Sequence, residues 1–419
     1  MPVVRERKAV IIVLLFSLFL LGSMLGVVFA SSVMWSQTYG GEGGDYAHSV
    51  IETADGGFVI AGYTNSFRTF GTTIYDSWLI KTDANGNVIW NQTYGAGILQ
   101  SLVETSKGEL AFVANNRFVK TDSYGNTLWN MTYGSAILYS LVETSDGGFA
   151  IAGSIYSFDD SSYDFLLIKI DTNGNAEWNK TYNNGVDEKA HSLVETFDGG
   201  YAIVGVTSYL DIATSPFDNY SNFWLVKTDV NGNTEWNQTF SETKTEIAYS
   251  LIQTSDMGYA IAGRTHYKMD IWVVKTDSNG NMTWSKTYGG AYGDEQVFSL
   301  IETSNGGLAL AASTNSYGSG SLDFWLVKID IDGNVEWSQT YGGSNTDKAH
   351  SLVETSDGGY AIAGETCSFG AGDSDFWLVK TNEQGIIPEF PSWIILPLTM
   401  ILALVVIVRK KTMLKGRKE

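Results

Sequence analysis

Between residues 31 and 385 the apolar positions do not follow a helical stripe. They form short runs bounded by Gly, Asn or Asp, and the runs recur in four kinds. The first alternates and is β-branched, as in His350–Thr355, His-Ser-Leu-Val-Glu-Thr. The second, Gly-Tyr-Ala-Ile-Ala-Gly, follows a tight Asp-Gly-Gly turn such as Asp357-Gly358-Gly359. The third, Phe-Trp-Leu-Val-Lys-Thr, and the fourth, Asn-Val-Glu-Trp-Ser-Gln-Thr-Tyr, flank Asp-x-Asn-Gly-Asn, as at Asp83 to Asn87, Asp171 to Asn175 and Asp229 to Asn233. Asn-Gly supplies the positive φ that short hairpins demand. Helix periodicity and caps are missing, so the pattern predicts strands only, about 28 of them at four per unit. We label the four kinds a, b, c and d.

The order of the runs carries more than their number. Trp35, Trp90, Trp129, Trp178, Trp236, Trp284 and Trp337 each open a d run, at spacings of 55, 39, 49, 58, 48 and 53 residues. A d run precedes the first a run, and the last unit stops after c. The chain reads d, then abcd six times, then abc. A closed ring whose first strand completes its last blade explains this offset, whereas an open solenoid would need polar capping repeats. Closure also protects the sheet edges. The expected fold is all-β: a seven-bladed β-propeller of four-stranded blades over 31–385, the last blade closed by the N-terminal strand.

The c–d hairpin, for example Trp224 to Trp236, resembles the Trp-docking repeats of quinoprotein-like propellers. The resemblance recurs in all seven units and covers about a third of each. It implies that the Trp packs between neighbouring blades. It does not carry over the quinone cofactor, because the family members that use it in catalysis have a vicinal cysteine pair and eight blades. This chain has the single Cys367 and seven units. A lone thiol also excludes a thiolate metal cluster and an internal disulfide.

The chain ends point to location. Arg5, Arg7 and Lys8 precede an apolar run, Ala9 to Ala30, that closes on small residues, so 1–30 reads as a signal peptide. Its length also suits an uncleaved signal anchor. After a linker at 386–391 containing Pro388-Glu389-Phe390-Pro391, the stretch 392–408 is apolar and just long enough to span a bilayer as a transmembrane helix. The basic tail, 409–419, places that end in the cytoplasm and the propeller on the extracellular face of the membrane. This end resembles the C-terminal sorting signals of archaeal surface proteins, which carry Pro-Glu-Phe, a span and a basic tail. The resemblance implies processing by a sorting enzyme; a retained anchor fits the residues equally well.

Residues 31 to 385 hold 17 basic and 43 acidic residues, a net charge of −26. Such a surface repels nucleic acid and anionic lipid, and suits solubility in a salty exterior. Asn-x-Ser/Thr occurs at Asn91, Asn130, Asn179, Asn219, Asn237 and Asn281. Four of these follow the strand d Trp directly, on the outermost strand, where N-glycosylation of an exported chain is expected.

Candidate chemistry is sparse. His48, His191 and His350 share one position at the start of strand a, where other units carry Gln100, Tyr139, Tyr249 and Phe298. Strand a lines the central channel of a propeller, so these residues should surround a channel mouth. The mixture suits a channel-filling ring better than a histidine metal site. Asp76, Asp164, Asp270, Asp323 and Asp375 precede strand c, and their repetition suggests a turn or strand-entry role. Asp-x-Asn-Gly-Asn shares residues with calcium loops but lacks their spaced carboxylates and distal Glu, so it reads as a hairpin turn. No cofactor is expected; calcium is the one ion left open. Connections b–c and d–a vary between units and share one face. The b–c segments Tyr63 to Ser77 (Phe67, Phe70, Tyr75) and Val206 to Asn222 (Tyr209, Phe217, Asp218, Tyr220) should form aromatic walls around the low second blade. This reading favours binding or adhesion, with a glycan or protein as partner, or a structural role in the envelope. An extracellular enzyme, a quinoprotein-like dehydrogenase or a glycan-active hydrolase, is the alternative.

Overall fold

The structure, a computed structural model, describes residues 34–387 apart from 68–74, 160, 186, 211–218, 243, 266–268 and 292. It contains 28 strands in seven four-stranded antiparallel sheets. Six blades run a-b-c-d in sequence, at 45–96, 99–132, 137–182, 187–240, 246–288 and 295–341. The seventh takes its outer strand, Trp35–Tyr39, from the start of the described chain, paired in register with Asp375–Thr381. The expected closure of the ring is therefore present. No helix among the described residues is long and apolar enough to cross a membrane. The predicted signal peptide, transmembrane helix and basic tail lie outside the described residues.

Strands b and c are buried on both faces, as in Leu308–Thr314 and Asp323–Ile329. This explains their continuous apolar runs, because each blade is sandwiched between two others. Seven hydrophobic clusters fill the seven junctions, and the one joining blades 7 and 1 packs Phe376 and Leu378 against Val50 and Trp78.

The Phe-Trp pair of strand c follows from strand geometry. Consecutive residues point to opposite faces, so Phe reaches the following blade and Trp the preceding one. Phe376 meets Trp78, Phe165 meets Trp224 and Phe324 meets Trp377, at 4.6–4.7 Å between ring centroids. The Gly ending strand b makes room: a β-carbon on Gly364 would lie 2.8 Å from Phe324 Cζ.

Trp docking occurs at every junction. Trp35, Trp90, Trp129, Trp178, Trp236, Trp284 and Trp337 each lie against the positive-φ glycine of the next blade's c–d turn. Two further rings of contacts tie blade to blade. The Ser of strand a accepts a backbone N–H from the next blade, as in Val50 N to Ser351 Oγ at 3.1 Å and Leu193 N to Ser140 Oγ at 3.1 Å. On the opposite face the Glu of strand a holds the a–b turn of the preceding blade. Glu52 accepts from Ser356 N and Oγ at 2.7 and 2.9 Å, and Glu302 accepts from Ser255 in the same way.

Two positive-φ glycines, one in an a–b turn and one under a docked Trp, give a graded prediction. Gly358 has φ +83° and open space around its missing side chain, so Gly358→Ala should cost about 1 kcal/mol, the ordinary left-handed penalty. Gly280 has φ +78°, and a β-carbon there would lie 2.8 Å from Trp236 Cη2. Gly280→Ala should cost about 3 kcal/mol, because the Trp also loses its seat. Urea unfolding of the two variants checks the ratio.

Candidate functional site

Strand a is the innermost strand of each blade. In all seven blades its pairing with strand b slips at the same place, for example between Ala47 and Ser49, Ala190 and Ser192, and Ala349 and Ser351. The extra residue is His48, Gln100, Tyr139, His191, Tyr249, Phe298 or His350. A β-bulge re-aims one side chain, and these seven together line a pocket of about 250 Å³. The expected channel mouth is thus a built feature, one bulge per blade.

The seven side chains touch in series. Gln100 Oε1 lies 3.2 Å from His48 Nδ1. His48 stacks on His350 at 4.7 Å, and His350 meets Phe298 at 4.7 Å. The series continues through Tyr249 and His191 to Tyr139. The imidazoles are neutral at pH 7. Burial pushes His48 down to about 4 and lowers His191 and His350, helped at His191 by Lys189 and at His350 by His48 and Lys348. They therefore act as flat aromatic surfaces with one acceptor nitrogen each.

Sequence reasoning missed the residues behind this ring. Glu365 of strand b lies with Oε2 4.0 Å from His350 Nε2 and Oε1 3.5 Å from Lys348 Nζ, and burial raises its carboxyl. His350 Nε2 has no hydrogen-bond partner. In blade 1, Tyr63 sits edge-on to His48 at 5.2 Å, stacks on Tyr46 at 5.0 Å and meets Tyr75 at 5.0 Å. Arg264 acts electrostatically on the Tyr249 hydroxyl. The signal was a break in the repeat: Tyr63, Arg264 and Glu365 occupy equivalent places beside the strand b Thr, where a purely structural position would have stayed uniform.

The residues expected to form aromatic walls fall in different settings. Tyr75 joins the blade 1 tyrosines, and Phe67 is exposed and packs on Trp78 at 5.1 Å. Val206 to Asn222 is not a loop at its base. Strands Tyr201–Leu210 and Asn219–Thr228 pair up to Leu210 and Asn219, so the segment projects as a β-hairpin. Its Thr, Tyr and Val content favours extension of the sheet over an irregular loop. Tyr220 is buried there, with Lys244 Nζ 5.3 Å from its ring, so it is not an open wall residue. Phe70, Phe217 and Asp218 lie outside the described residues, as do the side chains of Tyr209 and Asn219.

The Asp-x-Asn-Gly-Asn segments are hairpin turns. Asp83 Oδ1 accepts from Asn85 N and Asn87 N at 2.8 and 2.9 Å, and Oδ2 from Asn87 Nδ2 at 2.9 Å. Asn91, Asn130, Asn179 and Asn237 are exposed on strand d, and Asn281 is exposed in a c–d turn. Among the described residues no group of three or more His, Cys, Asp or Glu side chains forms a metal cluster.

No family model matches this chain, and no curated protein sequence matches it. Solved structures share the fold. The WD40 β-propeller domain of Doa1 is 14% identical with a TM-score of 0.52, over 84% of this chain and 97% of that one. A protein of unknown function from Dyadobacter fermentans is 11% identical with a TM-score of 0.52, over 84% and 99%. Sqt1 from Chaetomium thermophilum is 11% identical with a TM-score of 0.50, over 83% and 100%. At these identities the likeness concerns the propeller alone.

Proposed function

We propose that this chain is an exported propeller, tethered to the membrane by its C-terminal segment, that binds a glycan at the channel mouth of its loop face. The observation that carries the reading is the aromatic and imidazole ring of seven bulge residues, backed by Tyr46 and Tyr63. Flat neutral rings suit the apolar faces of sugars. The pocket of about 250 Å³ is smaller than a drug-sized site and fits one sugar unit. Behind the ring, the buried His350 Nε2 has no hydrogen-bond partner and the Glu365 carboxyl lies 4.0 Å from it, so this pair backs the ring and sets its polarity. Lys189, Arg264 and Lys348 bring positive charge to this mouth in a domain of net −26, which favours a sugar carrying a carboxylate. No carboxylate lines the pocket itself, so the acid pair of a hydrolase has no counterpart there. Sorting-enzyme processing near 388–391 and glycosylation of the outer strands belong to the same reading.

A glycan screen on the closed ring, residues 31–387, with and without calcium, tests it. His350→Ala combined with Glu365→Gln is expected to weaken a uronate-bearing hit tenfold or more. Shortening the blade 4 hairpin should change selectivity less. A hit that survives both changes would place the binding surface elsewhere.

A further inference from the structure

On the loop face each blade meets the next through two strand ends. The first residue of strand a donates its N–H to the carbonyl just before strand c of the preceding blade. Asp45 reaches Ser374 O at 2.8 Å, Asp347 reaches Leu322 O at 2.7 Å and Glu295 reaches Met269 O at 2.9 Å. This bond sets two acidic side chains against each other across the junction. Asp375 faces Asp45 between blades 7 and 1, and Asp323 faces Asp347 between blades 6 and 7. Asp270 with Glu295, and Asp164 with Glu188, repeat the arrangement with a longer partner.

Each pair contains a buried oxygen that no donor reaches: Asp375 Oδ1, Asp323 Oδ1, Glu295 Oε2 and Glu188 Oε2. Their residues are 0–2% exposed. The opposing acids are held as acceptors. Asp45 takes Gly41 N at 2.9 Å, Ser66 Oγ at 2.7 Å and the Thr64 hydroxyl, and Asp347 takes Gly343 N at 2.9 Å and Ser368 Oγ at 2.7 Å. Two such carboxylates side by side, one with an empty acceptor, call for positive charge. Consistent with this, burial and Asp45 push Asp375 up to about 6.

The surroundings offer oxygen and little bulk. A β-carbon on Gly40 would overlap Asp375 Oδ1 and lie 2.7 Å from Asp45 Oδ2, and Gly342 is flanked alike by Asp323 Oδ1 and Asp347 Oδ2. Main-chain carbonyls of the d–a connections lie close to the facing b–c segments: a β-carbon on Gly372 would lie 2.5 Å from Gly41 O and 2.6 Å from Glu42 O, and one on Gly320 2.6 Å from Gly343 O and 3.1 Å from Asp323 Oδ1. Carboxylates and carbonyls without nitrogen or sulfur suit a hard divalent cation.

The junction of blades 1 and 2 is the informative exception. Strand a of blade 2 has Gly97, and that of blade 3 Ala136, where the other five have an acid. There Arg117 donates to Tyr94 O at 3.0 Å and Ala96 O at 2.7 Å, at the end of strand d of blade 1, and interacts electrostatically with Asp76. Where one carboxylate is missing, the chain supplies a single covalent cation.

We propose that the paired carboxylates between blades 6 and 7 and between blades 7 and 1 each bind one divalent cation of the calcium type, which staples neighbouring blades on the loop face. The two pairs with a longer acid follow the same design. These sites are separate from the channel mouth and do not depend on glycan binding.

The test uses the full-length chain in detergent, stripped with EDTA and titrated with calcium chloride by calorimetry and thermal unfolding. Saturable binding and a rise in the midpoint on the order of 5 °C are expected. The double variant Asp375→Asn/Asp323→Asn keeps a side-chain acceptor for Ala371 N and Ser319 N but removes the two unpartnered charges. It should lose two equivalents of calcium, and its metal-free midpoint should equal or exceed that of the wild type. Absence of binding at millimolar calcium, unchanged stoichiometry in the variant, or an equal rise with magnesium at matched ionic strength would each overturn the proposal.

Discussion

Deleting residues 34–41 is expected to abolish cooperative unfolding of the propeller, an effect larger than that of any single substitution. Trp35–Tyr39 does two jobs. It pairs along five residues with Asp375–Thr381 and so completes the sheet of blade 7. It also seats blade 7 on blade 1: Trp35 packs edge-on against Phe58 at 5.8 Å and covers Gly86, its Nε1 donates to Ala84 O at 3.0 Å, and Tyr39 Oη donates to Gly86 O at 2.8 Å. Trp35 is half-buried, so its loss alone should cost less than the about 3–5 kcal/mol of a fully buried Trp. The ladder bonds and Tyr39 add to that, against a total stability of about 5–15 kcal/mol for a domain. The deletion also exposes the edge of Asp375–Thr381, an apolar strand open to pairing with other chains. Size-exclusion chromatography and circular-dichroism melting of the deleted chain are expected to show association and a broad transition. A permuted chain carrying residues 34–41 after Ile387 should recover both properties, because 382–386 already forms a c–d turn with Asn382 N bonded to Ile386 O. A sharp, unshifted melt of the deleted chain would show that the ring does not need its borrowed strand.

That borrowed strand was legible because a repeat protein displays its phase in its text: a d run with no a, b or c before it has only one place in a closed ring. The channel mouth was legible for a similar reason, since His48, Tyr139 and His350 stand at one position among otherwise uniform neighbours. The bulge that aims them was not, because Ala-His-Ser reads as plain strand until its pairing is seen. Contacts between blades were illegible for a deeper reason. Glu52 and Ser356 are 304 residues apart, and in a repeat the same words would describe a Glu that bonds within its own unit or one that reaches the next. The acids before strand c suffered the same ambiguity. Their repetition suggested a turn or strand-entry role, and Asp323 and Asp375 do open strand c, but nothing in the text showed that they also face the following blade. The blade 4 segment was misjudged on length: a long insertion reads as a loop, yet its β-branched and aromatic residues extend the hairpin and bury Tyr220.

The lysine of strand c supports the last expectation, an asymmetry between its two partners. Lys275 is buried in the blade, where its Nζ donates to Asp256 Oδ2 at 2.7 Å and to Thr276 O at 3.0 Å. Asp256, on the a–b turn, is 55% exposed. Removing the acid with Asp256→Ala leaves a buried ammonium without its counter-charge. After allowance for solvent at the exposed acid, the loss should be about 2 kcal/mol. Lys275→Met removes the charge and keeps the packed stem, so it should change stability by less than about 1 kcal/mol. The double variant should regain most of what Asp256→Ala loses. Acid titration provides an independent check. Bonds to lysine, threonine and backbone N–H groups hold Asp55, Asp146 and Asp198 down at about 2, and Asp256 is lowered in the same manner. A carboxyl with a depressed folded pKa binds fewer protons folded than unfolded. Its contribution is complete above the unfolded value near pH 4 and disappears as the pH falls towards 2. The melting midpoint of the wild type should therefore drop steeply between pH 4 and 2. Lys→Met changes at positions 81, 169, 227 and 275 together should flatten that limb, since the acids would titrate nearer their ordinary value in both states. An acid limb of unchanged steepness would mean that other carboxyls govern it.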